Sequence, residues 1–483
     1  MNWLTSTNNQ IINIKDIPVI DISELRNDII KSSHRVVGFF GKEEGLQIKL
    51  YIILADDQNS TLLVSSVIFG KNDSYESITQ QIQAFHMFER EFYEEFKIEP
   101  KNHPWLKPIR NHKEDYPFFK MEGDEVHEVA VGPVHAGIIE PGHFRFMCNG
   151  EKIYELEIQL GYQYRNIEKL FLQNDSVSLA ESIAGDTVIG NSLAYAKAIE
   201  TLANIKVTSK ASLIRVIALE MERIAVHVGD LGAISNDIAY LMGNSVFGAT
   251  RTLVVNTLLE ICGSRYGRGL IKIGGVNYDI SSDLTIVIIK MLDKIEADID
   301  RMVKAMFAAS TVTSRLEKTG VLSNAKARDL GVVGMVARTS NLALDLRVDY
   351  PDEVYKELSL TKKTYPSGDV YARTLIRYEE IKQSVQIIKT LLSKLSCHKS
   401  EVLFNPKSSL NPDSMVVSMV EGWRGEVIHV AITDEKGKLS RYKIKDPSFN
   451  NWYGLAVAIR NNGISDFPLC NKSFNLSYCG NDL

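Results

Sequence analysis

The sequence is poor in cysteine. Its 483 residues include five cysteines, and no two of them stand in C-x-x-C spacing. They are Cys148, Cys262, Cys397, Cys470 and Cys479. A scattered, odd set of cysteines is typical of a reducing compartment. The pattern therefore excludes a disulfide framework and a metal site built from four thiolates.

The sequence also gives no reason to expect a membrane span, a leader or a basic block. No run reaches the roughly 18 to 20 apolar residues that a membrane span requires. The first residues, MNWLTSTNNQ, lack a basic region followed by an apolar one, so no secretory signal is expected. The net charge of −5, without a Lys/Arg block, argues against nucleic acid as a partner. We expect a cytoplasmic chain, or one that docks on a membrane through partners.

The length and the 45% hydrophobic content fit two or three globular domains. Residues 1–112 are predicted to form a small α/β domain. Its strands are expected at Leu46–Asp56 and Thr61–Phe69, and an amphipathic helix is expected at Glu76–Phe96. The polar, acidic residues 113–130 are interpreted as a linker or a surface strand.

Residues 131–483 are predicted to form a mostly helical core with β-hairpins at its edges, which makes the fold class α+β. An Asn149-Gly150 turn predicts one hairpin, and a Lys436-Gly437 turn predicts another over residues 421–449. Residues 400–414 are expected to be a mobile loop. Long helices are expected at residues 178–204, 209–232, 237–263, 283–308 and 368–395.

A loop rich in ionisable groups precedes the first hairpin. It carries His135, Glu140, His143 and Arg145 between glycines and prolines. A carboxylate in a closed pocket can have its pKa raised by desolvation, which suits proton transfer near neutral pH. Alternatively, Glu140 caps or salt-bridges the loop.

The helix predicted at 209–232 carries charged residues along one flank of its apolar stripe. They are Glu220, Arg223, His227 and Asp230. Such a flank predicts either a proton or charge relay or a structural ion-pair ladder between helices. Arg215 and Glu222 are expected on the opposite, wetter side.

Several motifs occur together in a familiar order. They are GPVH…EPGHFR, YRNIEKL, LEMERIAVH, IGGV, GDVYAR, RGE, PSF and a final SD-P-L. In this order the chain resembles the large subunit of membrane-bound group 4 NiFe hydrogenases, of the hydrogenase 4 and formate hydrogenlyase type. It is equally similar to the quinone-site subunit of respiratory complex I. The N-terminal region, including FEREFYEEFKIEPKNHPWL, resembles the small complex I subunit fused ahead of the large one.

The resemblance also shows what is missing. In active NiFe hydrogenases two C-x-x-C pairs supply four thiolates to the metals. The matching positions in this sequence are Ala184, Thr187, Ser477 and Gly480, and Cys479 stands beside a ligand position. These side chains cannot replace four soft anionic ligands, so we expect no NiFe centre and no hydrogen chemistry.

Other site residues follow from the resemblance. It implies that Glu140 is a proton-relay glutamate and that His143 and Arg145 pin its loop. The tyrosine that complex I places near the quinone falls in a segment offering Asp186, Thr187 and Asn191. The companion histidine matches either His135 or His143.

Two further residues carry weaker indications. Glu168 matches a magnesium position of some hydrogenases, or else it forms an ion pair with Lys169 or an arginine. His227 is expected to be a satisfied buried histidine.

The resemblance further implies an oxidoreductase complex on the cytoplasmic side of an inner membrane, related to NADH dehydrogenase. Its expected partners are a small subunit with an iron–sulfur cluster and antiporter-like membrane subunits. Quinone and NAD binding are expected of the complex, whereas this chain would bind no cofactor except a possible quinone. The alternative is a scaffold or coupling subunit that has lost redox chemistry.

Overall fold

The computed structural model describes residues 2–110, 116–135, 139–395, 397, 400–403 and 409–483. The strands are β1 (Leu4–Ser6), β2 (Ile11–Asn13), β3 (Arg35–Glu44), β4 (Gln47–Asp56), β5 (Thr61–Gly70), β6 (Ser74–Glu76), β7 (Glu99–Lys101), β8 (Val126–Val131), β9 (His143–Asn149), β10 (Lys152–Gln159), β11 (Ile271–Lys272), β12 (Gly275–Val276), β13 (Ser414–Glu421), β14 (Glu426–Thr433) and β15 (Leu439–Lys445).

The helices lie mainly between β10 and β13. They are α1 (Ile22–Lys31), α2 (His86–Phe96), α3 (Ile167–Gln173), α4 (Val177–Ala180), α5 (Val188–Leu202), α6 (Ser209–Asp237), α7 (Leu241–Cys262), α8 (Ser282–Ala308), α9 (Ser310–Leu316), α10 (Asn324–Asp329), α11 (Gly334–Thr339), α12 (Leu346–Asp349), α13 (Glu353–Lys356), α14 (Val370–Leu395), α15 (Pro447–Ala458), α16 (Phe467–Phe474) and α17 (Tyr478–Asp482). In the part of the chain that the structure describes, no helix is long and apolar enough to cross a membrane. The mixed helix and strand architecture confirms the predicted α+β class.

The N-terminal sheet has the strand order β1-β5-β4-β3 and is antiparallel throughout. Strands β4 and β5 match the two predicted strands. The predicted helix at 76–96 begins at His86 instead, ten residues late. The cause is Glu89, a buried carboxylate that accepts hydrogen bonds from the backbone amides of Ile78 (2.8 Å) and Thr79 (3.0 Å). Because the amides of Ile78 and Thr79 point at the Glu89 carboxylate, this part of the backbone cannot form the first turns of the predicted helix.

A second four-stranded sheet has the order β15-β14-β13-β2. The predicted C-terminal hairpin provides β14 and β15 with their turn at Gly437, and β13 extends it. Strand β2, from the N-terminal region, pairs with β13 at the edge. This sheet is buried because Phe40 and Tyr51 of the first sheet share a core cluster with Met415 and Ile428, and α5 covers the opposite face.

The first predicted hairpin is present as β9 and β10, with Gly150 in the left-handed region at φ +54°. Strand β8 adds to it at the edge, so part of residues 113–130 is a surface strand. The domain boundary near residue 112 falls within residues 111–115, outside the described residues, and stays a prediction. So does the mobility of residues 400–414, of which 404–408 are not described.

The long helices surround α6, which packs against α7 and α14. The single helix predicted at 178–204 is two helices, α4 and α5, separated by a turn. Helix α14 begins as predicted after Asp369, which accepts a hydrogen bond from the amide of Ala372 at 2.9 Å.

The middle of helix α6 has no solvent-exposed face. The expectation that Arg215 and Glu222 lie on a more exposed side of the helix was therefore wrong. Both side chains are buried. Arg215 donates to Glu200 at 3.0 Å, and Glu222 accepts from the amides of Ile189 (2.7 Å) and Gly190 (3.2 Å) at the start of α5. The helix is enclosed by neighbours on both sides, which its apolar stripe alone does not indicate.

A buried ion network joins α6 to α14. The carboxylate of Glu380 on α14 accepts from Arg338 Nη2 at 2.6 Å and lies 2.9 Å from His227 Nε2 and 3.6 Å from Arg223. Arg338 also donates to Glu421 at 2.8 Å. Removing one member of such a network leaves uncompensated charges away from water.

Glu380→Gln is therefore expected to lower the free energy of unfolding by about 3–5 kcal/mol. The neighbouring Glu379→Gln is the matched control, because Glu379 forms a partly exposed ion pair with Lys363 (3.8 Å). The control should cost less than about 1 kcal/mol. Urea denaturation followed by circular dichroism measures both, and equal losses would contradict the role of the network.

Candidate functional site

The predicted loop glutamate meets the C-terminal end of the chain. Glu140 Oε2 accepts weak hydrogen bonds from the amides of Tyr478 (3.3 Å) and Cys479 (3.4 Å), the first residues of α17. A carboxylate at the start of a helix is favoured by the free amides there. Residues 136–138 of the same loop lie outside the described residues.

The two loop histidines face different surroundings. The His135 ring lies against Phe144 (5.6 Å between centroids) and Tyr478 (6.5 Å), on the side of the C-terminal helix. The His143 ring lies 5.0 Å from Phe118. Burial lowers the pKa of both histidines. Of the two candidates, His135 shares a neighbour, Tyr478, with Glu140.

Arg145 lies on the same side as His143. Its guanidinium stacks on Phe118 at 4.1 Å and pairs with Glu128 at 2.9 Å. Arg145 therefore fastens β9 to β8, and its expected role in pinning the loop stays a prediction.

Arg424 joins the turn before α5 to the C-terminal segment. Its guanidinium donates to Asp186 Oδ1 (3.0 Å) and Oδ2 (2.5 Å), to Thr187 Oγ1 (3.1 Å) and to the carbonyl of Asn475 (2.5 Å). It also stacks on Trp423 at 4.0 Å. The sequence prediction did not include Arg424, although it belongs to the RGE motif on which the resemblance rests.

The C-terminal positions of the second predicted pair are close to this arginine. Ser477 Oγ accepts from the amide of Gly480 at 2.9 Å and caps α17. A Cβ atom on Gly480 would lie 2.7 Å from Asp446 Cγ, so the Asp446 carboxyl group occupies the space beside that glycine. Sequence reasoning did not include Asp446 either, and only its place before the PSF turn could have indicated it.

Asp446 is a buried carboxyl with one free oxygen. Its Oδ1 accepts from the amide of Ser448 at 2.8 Å, while Oδ2 has no hydrogen-bond partner among the described residues. Burial raises the pKa of Asp446 although Arg424 opposes the shift. Burial and the nearby Glu140 also raise the pKa of Cys479 to about 12, so its sulfur is a thiol and not a thiolate.

Thr187 is bound by Arg424, and its amide donates to the carbonyl of the buried Ala184 at 3.0 Å, so the two lie in one turn at the site. Asn191 donates from Nδ2 to the Thr187 carbonyl at 2.9 Å but has no hydrogen bond with Arg424 among the described residues. Its amide faces His429 Nε2 at 3.2 Å, and His429 in turn contacts Tyr442 at 2.7 Å. Burial lowers the pKa of His429 to about 3, which keeps the ring neutral. Asn191 lies one helical turn after Thr187, and its side chain contacts His429 of strand β14 in the C-terminal sheet.

The charged residues on the flank of α6 form ion pairs and hydrogen bonds with neighbouring elements, as the ion-pair ladder alternative predicted. At one end Glu220 accepts from Ser384 (2.5 Å) and Arg223 (3.2 Å). At the other end Asp230 accepts from Arg377 (3.0 Å) and Asn475 (2.8 Å). His227 is buried as expected, but it is only partly satisfied: Nε2 contacts Glu380, whereas Nδ1 has no hydrogen-bond partner among the described residues. Because Asn475 also binds Arg424, the ladder ends at the site.

Glu168 forms ion pairs, as the simpler interpretation predicted. It lies 2.8 Å from Lys443 and 3.7 Å from Arg441, not beside Lys169. It also accepts from the amide of Ile444 at 3.0 Å. Within the described ranges, no group of three or more His, Cys, Asp or Glu side chains is arranged to hold a metal ion.

A cavity of about 490 Å³ opens beside Asp186, between α6 and α7. The Asp186 side chain is 41% exposed and forms part of its wall. Arg424 behind it is almost fully buried. Asp186 therefore connects the cavity to the buried cluster of Arg424, Asp446 and the C-terminal helix.

Glu222 lies under the turn that carries Asp186 and Thr187. Burial raises its pKa to about 8 although the two α5 amides lower it, Asp186 adds to the rise and Arg223 opposes it. A carboxyl whose pKa rises on folding stabilises the protein fully below its unfolded pKa of about 4.3 and loses that contribution as the pH rises through about 8.

Glu222→Gln is expected to remove this pH dependence, because the amide keeps an acceptor oxygen and carries no charge. At pH 8 the variant should be more stable than the original chain by about 2–4 kcal/mol, with a smaller difference at pH 5. Urea unfolding at both pH values measures it. Glu260→Gln, at an exposed position of α7, is the control, and an unchanged pH slope in Glu222→Gln would contradict the prediction.

Comparison with known proteins gives two family matches. Residues 237–412 and 398–482, together more than half of the chain, match the respiratory-chain NADH dehydrogenase 49 kDa subunit. Residues 22–122 match the 30 kDa subunit of the same enzyme.

Individual relatives agree with this. Hydrogenase-4 component G of Escherichia coli K12 is 26% identical over 451 residues, 87% of this chain and 78% of that protein. A subunit of the NADH-quinone oxidoreductase of Dehalococcoides mccartyi is 29% identical over 332 residues, 67% of this chain and 89% of that protein. A chain in the solved structure of the membrane-bound sulfane sulfur reductase, an archaeal respiratory membrane complex, has 22% identity and a TM-score of 0.69. The match covers 74% of this chain and 99% of that chain, and it shows the shared fold.

Proposed function

Because this chain belongs to the family of the respiratory-chain NADH dehydrogenase 49 kDa subunit, as a group 4 hydrogenase-like large subunit, we propose that it is the core subunit of a membrane-associated oxidoreductase complex. Its relatives are subunits of such complexes. In the proposed role, electrons pass to quinone or another carrier in the cavity beside Asp186, and their transfer is coupled to proton movement. The meeting of Glu140, Asp186 and Arg424 around the C-terminal helix carries the proposal.

The site does not suit a NiFe centre. Its four matching positions offer a methyl group, two hydroxyl groups and a hydrogen, and the nearby Cys479 is a protonated thiol. The Arg424 guanidinium binds Thr187, and the Asp446 carboxyl group fills the space beside Gly480. Nickel and iron require soft anionic ligands, which this donor set lacks. We therefore derive no hydrogen chemistry for the chain.

What the chain retains is a set of groups that hold or move protons. Asp186 reaches the cavity and is oriented by Arg424 from behind. Glu140 approaches the same cluster from the loop side, through the amides of α17. Proton transfer by positioned carboxylates next to a bound carrier is ordinary general acid–base chemistry. In this role Glu140 exchanges protons with the outside and Asp186 exchanges them with the carrier.

The second candidate is a scaffold or coupling subunit without redox chemistry. The ion network favours it, because nearly all of its charges are paired and buried, as in a rigid structural element. In either role we propose a cluster-bearing small subunit and antiporter-like membrane subunits as partners, on the cytoplasmic side of the membrane.

Turnover of the purified complex separates the two candidates. Glu140→Gln and Asp186→Asn should each lower quinone- or dye-linked turnover by roughly tenfold or more, because each removes a proton-carrying group. Glu128→Gln is the matched control, since Glu128 pairs with Arg145 on the far side of β9. Unchanged turnover in both site variants would favour the scaffold.

Elemental analysis of the same preparation tests the missing metal centre. We expect nickel far below one atom per chain, because the donor set offers no thiolate. Iron should be present only in the amount that a partner's clusters account for. Stoichiometric nickel that is lost in Cys479→Ser would overturn this expectation.

A further inference from the structure

The cavity between α6 and α7 has an unusual wall. Small residues of α6 line part of it beside Asp230 and Asn236 of the same helix, and polar side chains face it from α7 and from the end of α16. Its lining includes Gly229, Asp230, Arg251, Lys472 and Asn475. A volume of about 490 Å³ is enough for a small organic molecule.

Arg251 lies across α6 at a position where that helix has no side chain. A Cβ atom on Gly229 would lie 2.9 Å from Arg251 Cδ and 3.0 Å from its Nε. Gly229 therefore makes room for the arginine to lie along the cavity wall. In the ranges that the structure describes, Arg251 has no hydrogen bond and no ion pair. An arginine is always charged and presents five N–H donors, so this half-buried cation has no compensating partner there.

The carboxylates of the wall are already neutralised. Asp186 is paired with Arg424 at 2.5 Å. Asp230 is shared by Arg377 at 3.0 Å and Lys472 at 3.2 Å. Neither acid of the lining is left for Arg251, because Arg424, Arg377 and Lys472 already hold them.

We propose that this cavity binds a small-molecule anion whose carboxylate or phosphate group is held by the Arg251 guanidinium. Carboxylate and phosphate oxygens match the fork of an arginine, which can bind them through two parallel hydrogen bonds. Lys472, which pairs with Asp230 at 3.2 Å, also lies in the lining, and its side chain is 31% exposed. This is the cavity that the proposed function gives to the electron carrier, but anion binding can be measured in the chain without turnover and so stands or falls separately from electron transfer.

Isothermal titration calorimetry of the full chain tests the site. Inorganic phosphate and succinate are titrated separately at fixed ionic strength, which distinguishes a phosphate from a carboxylate ligand. At least one should bind saturably, and Arg251→Gln should weaken that binding by roughly tenfold or more, because the charge-assisted bonds are lost. Arg265→Gln, at a position beyond the end of α7 and outside the cavity lining, is the matched control and should bind like the original chain.

Gly229→Ala provides a second variant. Its methyl group should displace the Arg251 side chain and weaken the same binding without removing the charge. Thermal unfolding of each variant checks that the fold is retained. The proposal is overturned if neither anion binds the original chain saturably, or if Arg251→Gln binds as tightly as the original chain.

Discussion

The buried guanidinium of Arg424 is the interaction on which the candidate site depends. It connects the turn before α5, through Asp186 and Thr187, to the C-terminal segment at Asn475. The backbone of Arg424 packs directly against that of Gly334. A Cβ atom on Gly334 would collide with the Arg424 carbonyl, and its φ of +66° also favours glycine. A buried arginine is costly unless its donors are satisfied. Satisfying them draws two distant parts of the chain together around one charge.

The ladder along α6 continues this arrangement into the core. Asp230, Glu380 and Glu220 each receive at least one arginine, so the desolvation of every acid is offset by a nearby cation. Such a network holds α6, α14 and β13 in one relative position. Asn475 binds both Asp230 and Arg424, so any movement of the C-terminal segment would disturb the ladder and the site together.

The sequence predicted most secondary-structure elements correctly, but it predicted poorly which side chains contact one another in the folded chain. Apolar alternation and turn residues located β4, β5, the β9–β10 hairpin and α6, because those signals are local. The start of α2 was missed because the Glu89 carboxylate binds backbone amides upstream, and that contact forms only in the folded chain. Asn191, Arg215 and Glu222 were misplaced for a related reason. Helical spacing shows which residues share a face but not whether the sheet, another helix or solvent covers that face. For Asp446 the only local signal was its place before the PSF turn.

In the proposed role, the charges around Arg424 favour protons over metals. A NiFe centre draws on four thiolates, whereas this site has one guanidinium, a paired carboxylate at Asp186 and a buried carboxyl at Asp446 with a raised pKa. The Asp446 carboxyl has a raised pKa, and Asp186 is already paired with Arg424, so neither group requires a metal ion to balance its charge. A bound metal would have to displace Arg424 and leave Asn475 and Thr187 without their donor. In the proposed role, the chain thus retains the frame of a redox enzyme and uses its centre to position carboxyl groups against the cavity.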